Sequence, residues 1–409
     1  MMRYDTLFWT PSARASQPRH TRDTPRTRGA VMLDAGMLGV EKKMKFRLAA
    51  SALAIVTLIA ACGGASTPSP SSSANACFPV KGQCPDEAQL LTASGATFPA
   101  VIYTKWIDEY YKATGVQVNY QAIGSGGGIK AISEKTVDFA GSDAPMTDQQ
   151  LTDAKSAILH IPTVMGAVVP TFNIPGVTKL SLTPETLAGI YLGTIKTWND
   201  PKLAADNPGV TFPSTNITPV FRSDSSGTTF AFTDYLAKVS PDFKSKVGAG
   251  TAVTFPAGVG GKGNDGVAGA VKSTPNSIGY VELIYALQQK LGTASLRNSS
   301  GKFVDPTLDA VSKAAVGVTY PDDLRVSITN SPNAEAWSIS TFTFLLTYKD
   351  VSDHAKALAM ARYFWWGTHD GQNFAKDLGY APLPADVLTK AEAKIHAITS
   401  GGTPVLPTK

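Results

Sequence analysis

From Leu90 onward, short apolar runs alternate with segments whose apolar positions recur every three or four residues, the pattern of strands interleaved with helices. Residues 90–93 read as a short strand. Phe98, Ile102, Trp106 and Tyr110 then recur at every fourth position and define the buried face of a helix that stops near Gly115. Residues 116–120 alternate as a strand, 129–135 read as a second helix, and 137–140 as a strand ending at Ser142-Asp143. An apolar crossing at 161–175 leads into a second unit that includes a strand at 217–221. The glycine-rich stretch 248–266 reads as loop. Residues 341–346 predict a strand returning to the first unit, followed by an aromatic helix around Phe364, Trp365 and Trp366. No repeat at solenoid period is present. The alternation predicts an α/β fold with largely parallel strands, in which ligands bind beyond the carboxyl ends of strands.

With 409 residues, 43% hydrophobic and 17% charged, the chain can form two globular domains with ordinary cores. The formal charge of +5 would suit a nucleic-acid partner, but it is unevenly placed. Residues 1–61 hold 10 Lys or Arg against 4 Asp or Glu, and the remainder holds 27 basic against 28 acidic residues. The basic character therefore belongs to a segment expected to be removed, and no nucleic-acid role is expected. In that segment Lys42, Lys43, Lys45 and Arg47 precede an uncharged run of 14 residues, 48–61, too short to span a bilayer comfortably. With Ile59-Ala60-Ala61-Cys62 behind it, the run resembles the signal peptide and lipobox of bacterial lipoproteins, with Cys62 as the lipidated residue. An uncleaved anchor or plain cleavage is the alternative. Residues 1–43 are Arg- and Pro-rich without periodicity, as a misplaced start upstream of Met44 would leave them, and 62–86 read as lipidated cysteine and flexible tether. Of the three cysteines, assigning Cys62 to lipid leaves Cys77 and Cys84, seven positions apart, for a short-loop disulfide, with two free thiols as the alternative.

The candidate chemistry centres on Arg222-Ser223-Asp224-Ser225-Ser226-Gly227-Thr228, a guanidinium, small hydroxyls and a glycine just ahead of a helix-like run. A helix N-terminus has backbone N–H groups without internal partners and carries partial positive charge, so an oxyanion binds there readily. Arg222 adds a full charge in a bidentate-capable form, and Asp224 is placed to orient it. Ser94–Pro99 and Gly124–Gly128 form two similar places. Thr97, before Phe98-Pro99, reads as a helix N-cap, with the Phe98 ring by itself more often core than ligand-facing. Ser125 and the glycines after it let amides approach a tetrahedral anion, but Ile129 before Lys130 excludes a Walker loop. Asp143, which by itself is more often a helix cap or turn former, as a carboxylate only accepts hydrogen bonds, which suits an anion that carries a proton and repels one that does not. His20, His160, His354, His369 and His396 lack metal-ligand spacing and no nucleophile elbow is present, so neither metal, cofactor nor enzyme activity is expected.

Gly95-Ala96-Thr97-Phe98-Pro99, Val118-Asn119-Tyr120 with Gly124-Ser125-Gly126-Gly127, Val137-Asp138-Phe139 with Ser142-Asp143-Ala144-Pro145, and Arg222 to Thr228 together resemble the phosphate-binding proteins of ABC phosphate importers. Trp198-Asn199-Asp200-Pro201, Ser277-Ile278-Gly279-Tyr280 and Tyr380-Ala381-Pro382-Leu383-Pro384 extend the resemblance, in order, to the C-terminus. It implies a two-lobed, type II periplasmic-binding-protein-like α/β fold with the ligand cleft between lobes: 87–165 with 335–409 as lobe 1, and 166–334 as lobe 2. The implied phosphate contacts are Thr97, Phe98 through its N–H, Ser125, Asp143, Arg222, Ser226, Gly227 and Thr228, supported by Asp224. Ser225 departs from the family by replacing a common glycine in the turn that aims Arg222. The implied role is a monomeric, lipid-anchored receptor on the extracytoplasmic face of the cell membrane that delivers phosphate to the permease subunits and ATPase of an importer. A secreted adhesin or phosphatase-like relative is the alternative.

Overall fold

The computed structural model describes Cys77 and residues 80–407. The expected extension 1–43, signal 44–61, Cys62 and most of the tether lie outside the described residues. The strands are β1 (Leu90–Gly95), β2 (Gln117–Ala122), β3 (Phe139–Ser142), β4 (Ile158–Asn173), β5 (Ser181–Leu182), β6 (Thr218–Arg222), β7 (Val259–Gly261), β8 (Ser277–Glu282), β9 (Gly292–Thr293), β10 (Ser295–Arg297), β11 (Phe303–Val304), β12 (Ser340–Tyr348), β13 (Thr399–Ser400) and β14 (Thr403–Pro404). The main sheet runs β2-β1-β3-β12-β4-β8-β6-β7, with β9 also on β4, while β11-β10-β5 and β13-β14 form two small sheets.

β4 joins the two halves of the sheet. Its first part, Ile158 to Ala167, pairs with β12, and its second part, Val168 to Asn173, pairs with β8. Nearly all of this 16-residue strand is buried, which accounts for its unbroken apolar reading: a strand covered on both faces has no polar side to show. The pairing is mixed rather than largely parallel. β1 is parallel to β2 and β3, and β6 to β7 and β8, but β12 and β4 run antiparallel to their neighbours. Alternation of strands and helices identifies the two parallel blocks; it carries no information about the direction in which β12 returns.

The first helix, Ala100–Thr114, buries Ile102, Tyr103, Trp106 and Tyr110 and ends at Gly115 in the left-handed conformation, φ 79°. Its face meets the aromatic helix His354–Thr368, with the Tyr110 ring 5.1 Å from Tyr363 and 5.7 Å from Trp366. Such a large aromatic core anchors the outer face of the first half. Two boundaries differ from the sequence reading. The second helix begins at Ser125, inside the glycine cluster, rather than at Ile129, since its amides are held by contacts that propensity does not register. The stretch read as loop holds β7 and the start of the helix Gly263–Ser273. Cys77 and Cys84 are disulfide-bonded. The loop they close covers a fully buried Glu87–Arg362 ion pair at 3.2 Å, and Arg362 donates to the Gly82 carbonyl at 2.6 Å.

Candidate functional site

Thr97 and Phe98 follow β1, Ser125 follows β2, Asp143 follows β3, and Arg222 closes β6 with Ser226, Gly227 and Thr228 just beyond it. All of these strand ends point to one place, because the parallel blocks of the two halves face each other across β4. Thr97, Ser125, Asp143, Arg222, Ser226 and Thr228 are all buried there.

Arg222 is held in a fixed pose. Its Nε and Nη2 donate to the two carboxylate oxygens of Asp224 at 2.8 and 2.5 Å, and its Nη1 to Thr228 Oγ1 at 3.3 Å. This fork leaves the guanidinium planar and aimed, with its side chain only 1% exposed. Burial would raise the Asp224 carboxyl, but the Arg222 guanidinium and the Gly263 N–H, donating at 3.0 Å, hold it below its ordinary value. Ser225 leaves the fork intact: its hydroxyl reaches Thr251 Oγ1 at 2.9 Å and its carbonyl accepts from Gly126 N–H at 3.0 Å.

Ser125 links the halves. Its Oγ accepts from the N–H of Gly227 at 3.0 Å and of Asp143 at 3.2 Å, and it lies 3.4 Å from Asp143 Oδ2. Asp143 Oδ1 accepts from Thr343 Oγ1 at 2.8 Å, so Oδ2 is the oxygen turned toward Gly227 and Ser125. Burial drives the Asp143 acid up to about 7, against the Thr343 bond, the Arg222 charge and the Ser125 bond, which all lower it. Ser226 caps its helix, its Oγ accepting from Thr229 N–H at 3.1 Å, so the N-terminus of Gly227–Val239 opens at the same place, with its Gly227 N–H on Ser125 Oγ.

Thr97 behaves differently from its sequence reading. Thr97 does not cap the helix Ala100–Thr114, where Pro99 stands at the cap, and its Oγ1 instead receives Asn264 Nδ2 at 2.9 Å. The Phe98 ring lies on the buried face that its spacing with Ile102 and Trp106 predicts. It is fully buried beneath the site, edge-on to Tyr380 and in a slot that Gly166 leaves by lacking a side chain, where a Cβ would come within 2.6 Å of the ring. Asn264, Thr343, Tyr285 and Tyr380 are the site residues that sequence reasoning missed. Tyr285 and Tyr380 donate to the carbonyls of Thr97 and Phe98 at 2.5 and 2.7 Å and so fix that turn. A signal existed for Tyr380, which belongs to one of the quoted motifs; Asn264 sat in the stretch read as loop.

Gly227 is where the halves come closest. A Cβ there would lie 2.6 Å from both Asp143 Cβ and Ser125 Oγ. Gly227→Ala is therefore expected to fold normally and to weaken anion binding by roughly 10- to 100-fold, since overpacking of this kind costs about 1–3 kcal/mol. Calorimetric titration with thermal unfolding as the folding control measures this, and an unchanged affinity would show that the approach of Gly227 to Asp143 has no part in binding.

A family model described as the PBP superfamily domain matches residues 65–362. The phosphate-binding protein PstS of Pasteurella multocida is 43% identical over 312 residues, covering 75% of this chain and 90% of that protein. The protein of the same name in Haemophilus influenzae is 42% identical over 312 residues, covering 75% and 93%. Phosphate-binding protein PstS 3 of Mycobacterium leprae is 34% identical over 326 residues, covering 75% and 86%. Among solved structures, a high-affinity periplasmic phosphate-binding protein bound with phosphate at pH 8.5 superposes with a TM-score of 0.61 at 22% identity, covering 74% and 93%, a likeness of fold. The chain thus belongs to the PBP superfamily and, within it, to the phosphate-binding proteins represented by these relatives.

Proposed function

We propose that this protein is an extracytoplasmic receptor that takes up inorganic phosphate between its two lobes and delivers it to an ABC importer. The observation that carries this reading is the meeting of Thr97, Ser125 and Asp143 from one half with Arg222, Gly227 and Thr228 from the other, in a buried place where Arg222 is held by Asp224 and Asp143 is a second carboxyl group. Phe98 would contribute its backbone N–H, Ser226 would join the first turn of its helix, and Asp224 would hold Arg222. A ligand shared by both halves favours closure because it bonds to both only when they meet. The lobes would be 87–165 with 335–409, and 166–334; the change of partner along β4 after Ala167, two positions further on, supports a division near there. No helix among the described residues is long and apolar enough to cross a membrane; attachment would come from lipid on Cys62. The permease and ATPase would be its partners, and the receptor would act as a monomer.

Charge-assisted hydrogen bonds contribute about 1.5–3 kcal/mol each, so several suffice for micromolar or tighter binding. Calorimetry at pH 8 is expected to give phosphate binding at least about tenfold tighter than sulfate binding. Lack of phosphate binding would overturn the receptor reading, and equal affinities would remove Asp143 from ligand selection.

A further inference from the structure

Asn264 lies at the centre of the site, fully buried, one residue into the helix Gly263–Ser273. Its orientation is set by a group that can only donate: the backbone N–H of Glu282 reaches its Oδ1 at 2.9 Å. The amide oxygen therefore faces β8, and both Nδ2 hydrogens face the opposite way. One goes to Thr97 Oγ1 at 2.9 Å and the other to Thr228 Oγ1 at 3.2 Å, so a single side chain ties a threonine of each half. The Asn264 backbone N–H adds a second bond to Thr97 Oγ1 at 3.3 Å, and Arg222 Nη1 adds a second to Thr228 Oγ1 at 3.3 Å.

A hydroxyl has two acceptor lone pairs and one proton. Each of these two threonine oxygens already accepts two hydrogen bonds, so the only capacity left to each is to donate. Resting on the phosphate reading above, we propose that Asn264 is a positioning residue that commits the Thr97 and Thr228 hydroxyls to donate toward the bound anion. A threonine free to rotate can present a lone pair as readily as a proton, and a lone pair repels an oxyanion. Asn264 removes that choice as the halves close on the ligand, so that both donors are aimed once they meet. It also couples the halves, because the donor set it creates is complete only when Thr97 and Thr228 stand on the same amide.

The test compares calorimetric affinities for inorganic phosphate in the unaltered chain, Asn264→Ala, the pair Thr97→Val with Thr228→Val, and all three changes together. Asn264→Ala is expected to bind about 10- to 100-fold more weakly. In the background lacking both hydroxyls the same change should matter less than about threefold, because the groups it orients are gone. An equal loss in both backgrounds would overturn the proposal and make Asn264 a packing residue. Should the alanine variant unfold, Asn264→Asp keeps the shape and the acceptor for Glu282. Its carboxylate would draw both hydroxyl protons to itself, so affinity should fall at pH 8 and recover on acidification as the carboxyl regains a proton. Binding as tight as that of the unaltered chain at pH 8 would overturn the proposal. Failure of the unaltered chain to bind phosphate would overturn the receptor reading and this inference with it.

Discussion

Replacing Arg222 with alanine is expected to lower phosphate affinity by about 100- to 1000-fold while leaving the fold in place. Two effects act in the same direction. A charge-assisted donor worth about 1.5–3 kcal/mol disappears. The Asp224 carboxylate, bonded to Arg222 at 2.5 and 2.8 Å, also loses its counter-ion beside the ligand. Removing one partner of a buried pair costs about 3–5 kcal/mol in general, but the Asp224 side chain is 13% exposed and water can relieve part of that. The double change Arg222→Ala with Asp224→Asn should accordingly bind more tightly than Arg222→Ala alone. Arg222→Lys should recover only part of the loss, since an ammonium cannot span both Asp224 oxygens and Thr228 together. Calorimetry on the four variants, with thermal unfolding as a control, distinguishes these contributions; an unchanged affinity for Arg222→Ala would remove Arg222 from the site.

How far the site was legible in sequence depended on whether its members follow strands. Thr97, Ser125, Asp143 and Arg222 each stand just beyond or at the end of a parallel strand, and strand ends are readable from apolar runs. The two faces of the first helix were readable for the same reason, from the spacing of Ile102, Trp106 and Tyr110. Residues placed by long-range contact were not. Asn264 follows a three-residue strand, β7, whose Val259-Gly260-Gly261 has no apolar pattern and exists because β6 offers it an edge. Thr343 lies within β12, and its side-chain bond to Asp143, 200 positions away, is decided by the antiparallel return of that strand. The Phe98 ring is buried as its spacing predicts, but the slot it takes depends on the space left by Gly166, a vacancy that only the packed core reveals. Local pattern reports the element a residue belongs to; the slot a buried ring takes is settled by neighbours remote in sequence.

Asp143 carries the expected preference of this receptor, and the preference should depend on pH in a defined direction. Burial raises its acid to about 7, so in the ligand-free protein it is largely neutral below that pH and largely ionised above it. The ionised form can accept a proton from a phosphate oxygen, and the dianion of phosphate still carries one, so phosphate binds above pH 7 without proton uptake. Sulfate has no proton to offer. It can bind only if Asp143 is protonated and donates, which means that sulfate binding must take up a proton wherever the free acid is ionised. By linkage, sulfate affinity should then be flat below about pH 6 and fall close to tenfold per pH unit above pH 7, while phosphate affinity stays nearly level. The ratio of the two affinities therefore widens with alkalinity, by roughly 30-fold at pH 8.5 over its value on the acid plateau. Asp143→Asn removes the titration and supplies a donor, so it should bind sulfate with little pH dependence and bring the two affinities within about tenfold of each other. Calorimetry with both anions between pH 5.5 and 8.5 measures that slope. A sulfate affinity that fails to fall above pH 7 in the unaltered chain would mean that Oδ2, the carboxyl oxygen turned toward Ser125 and Gly227, does not face the ligand at all.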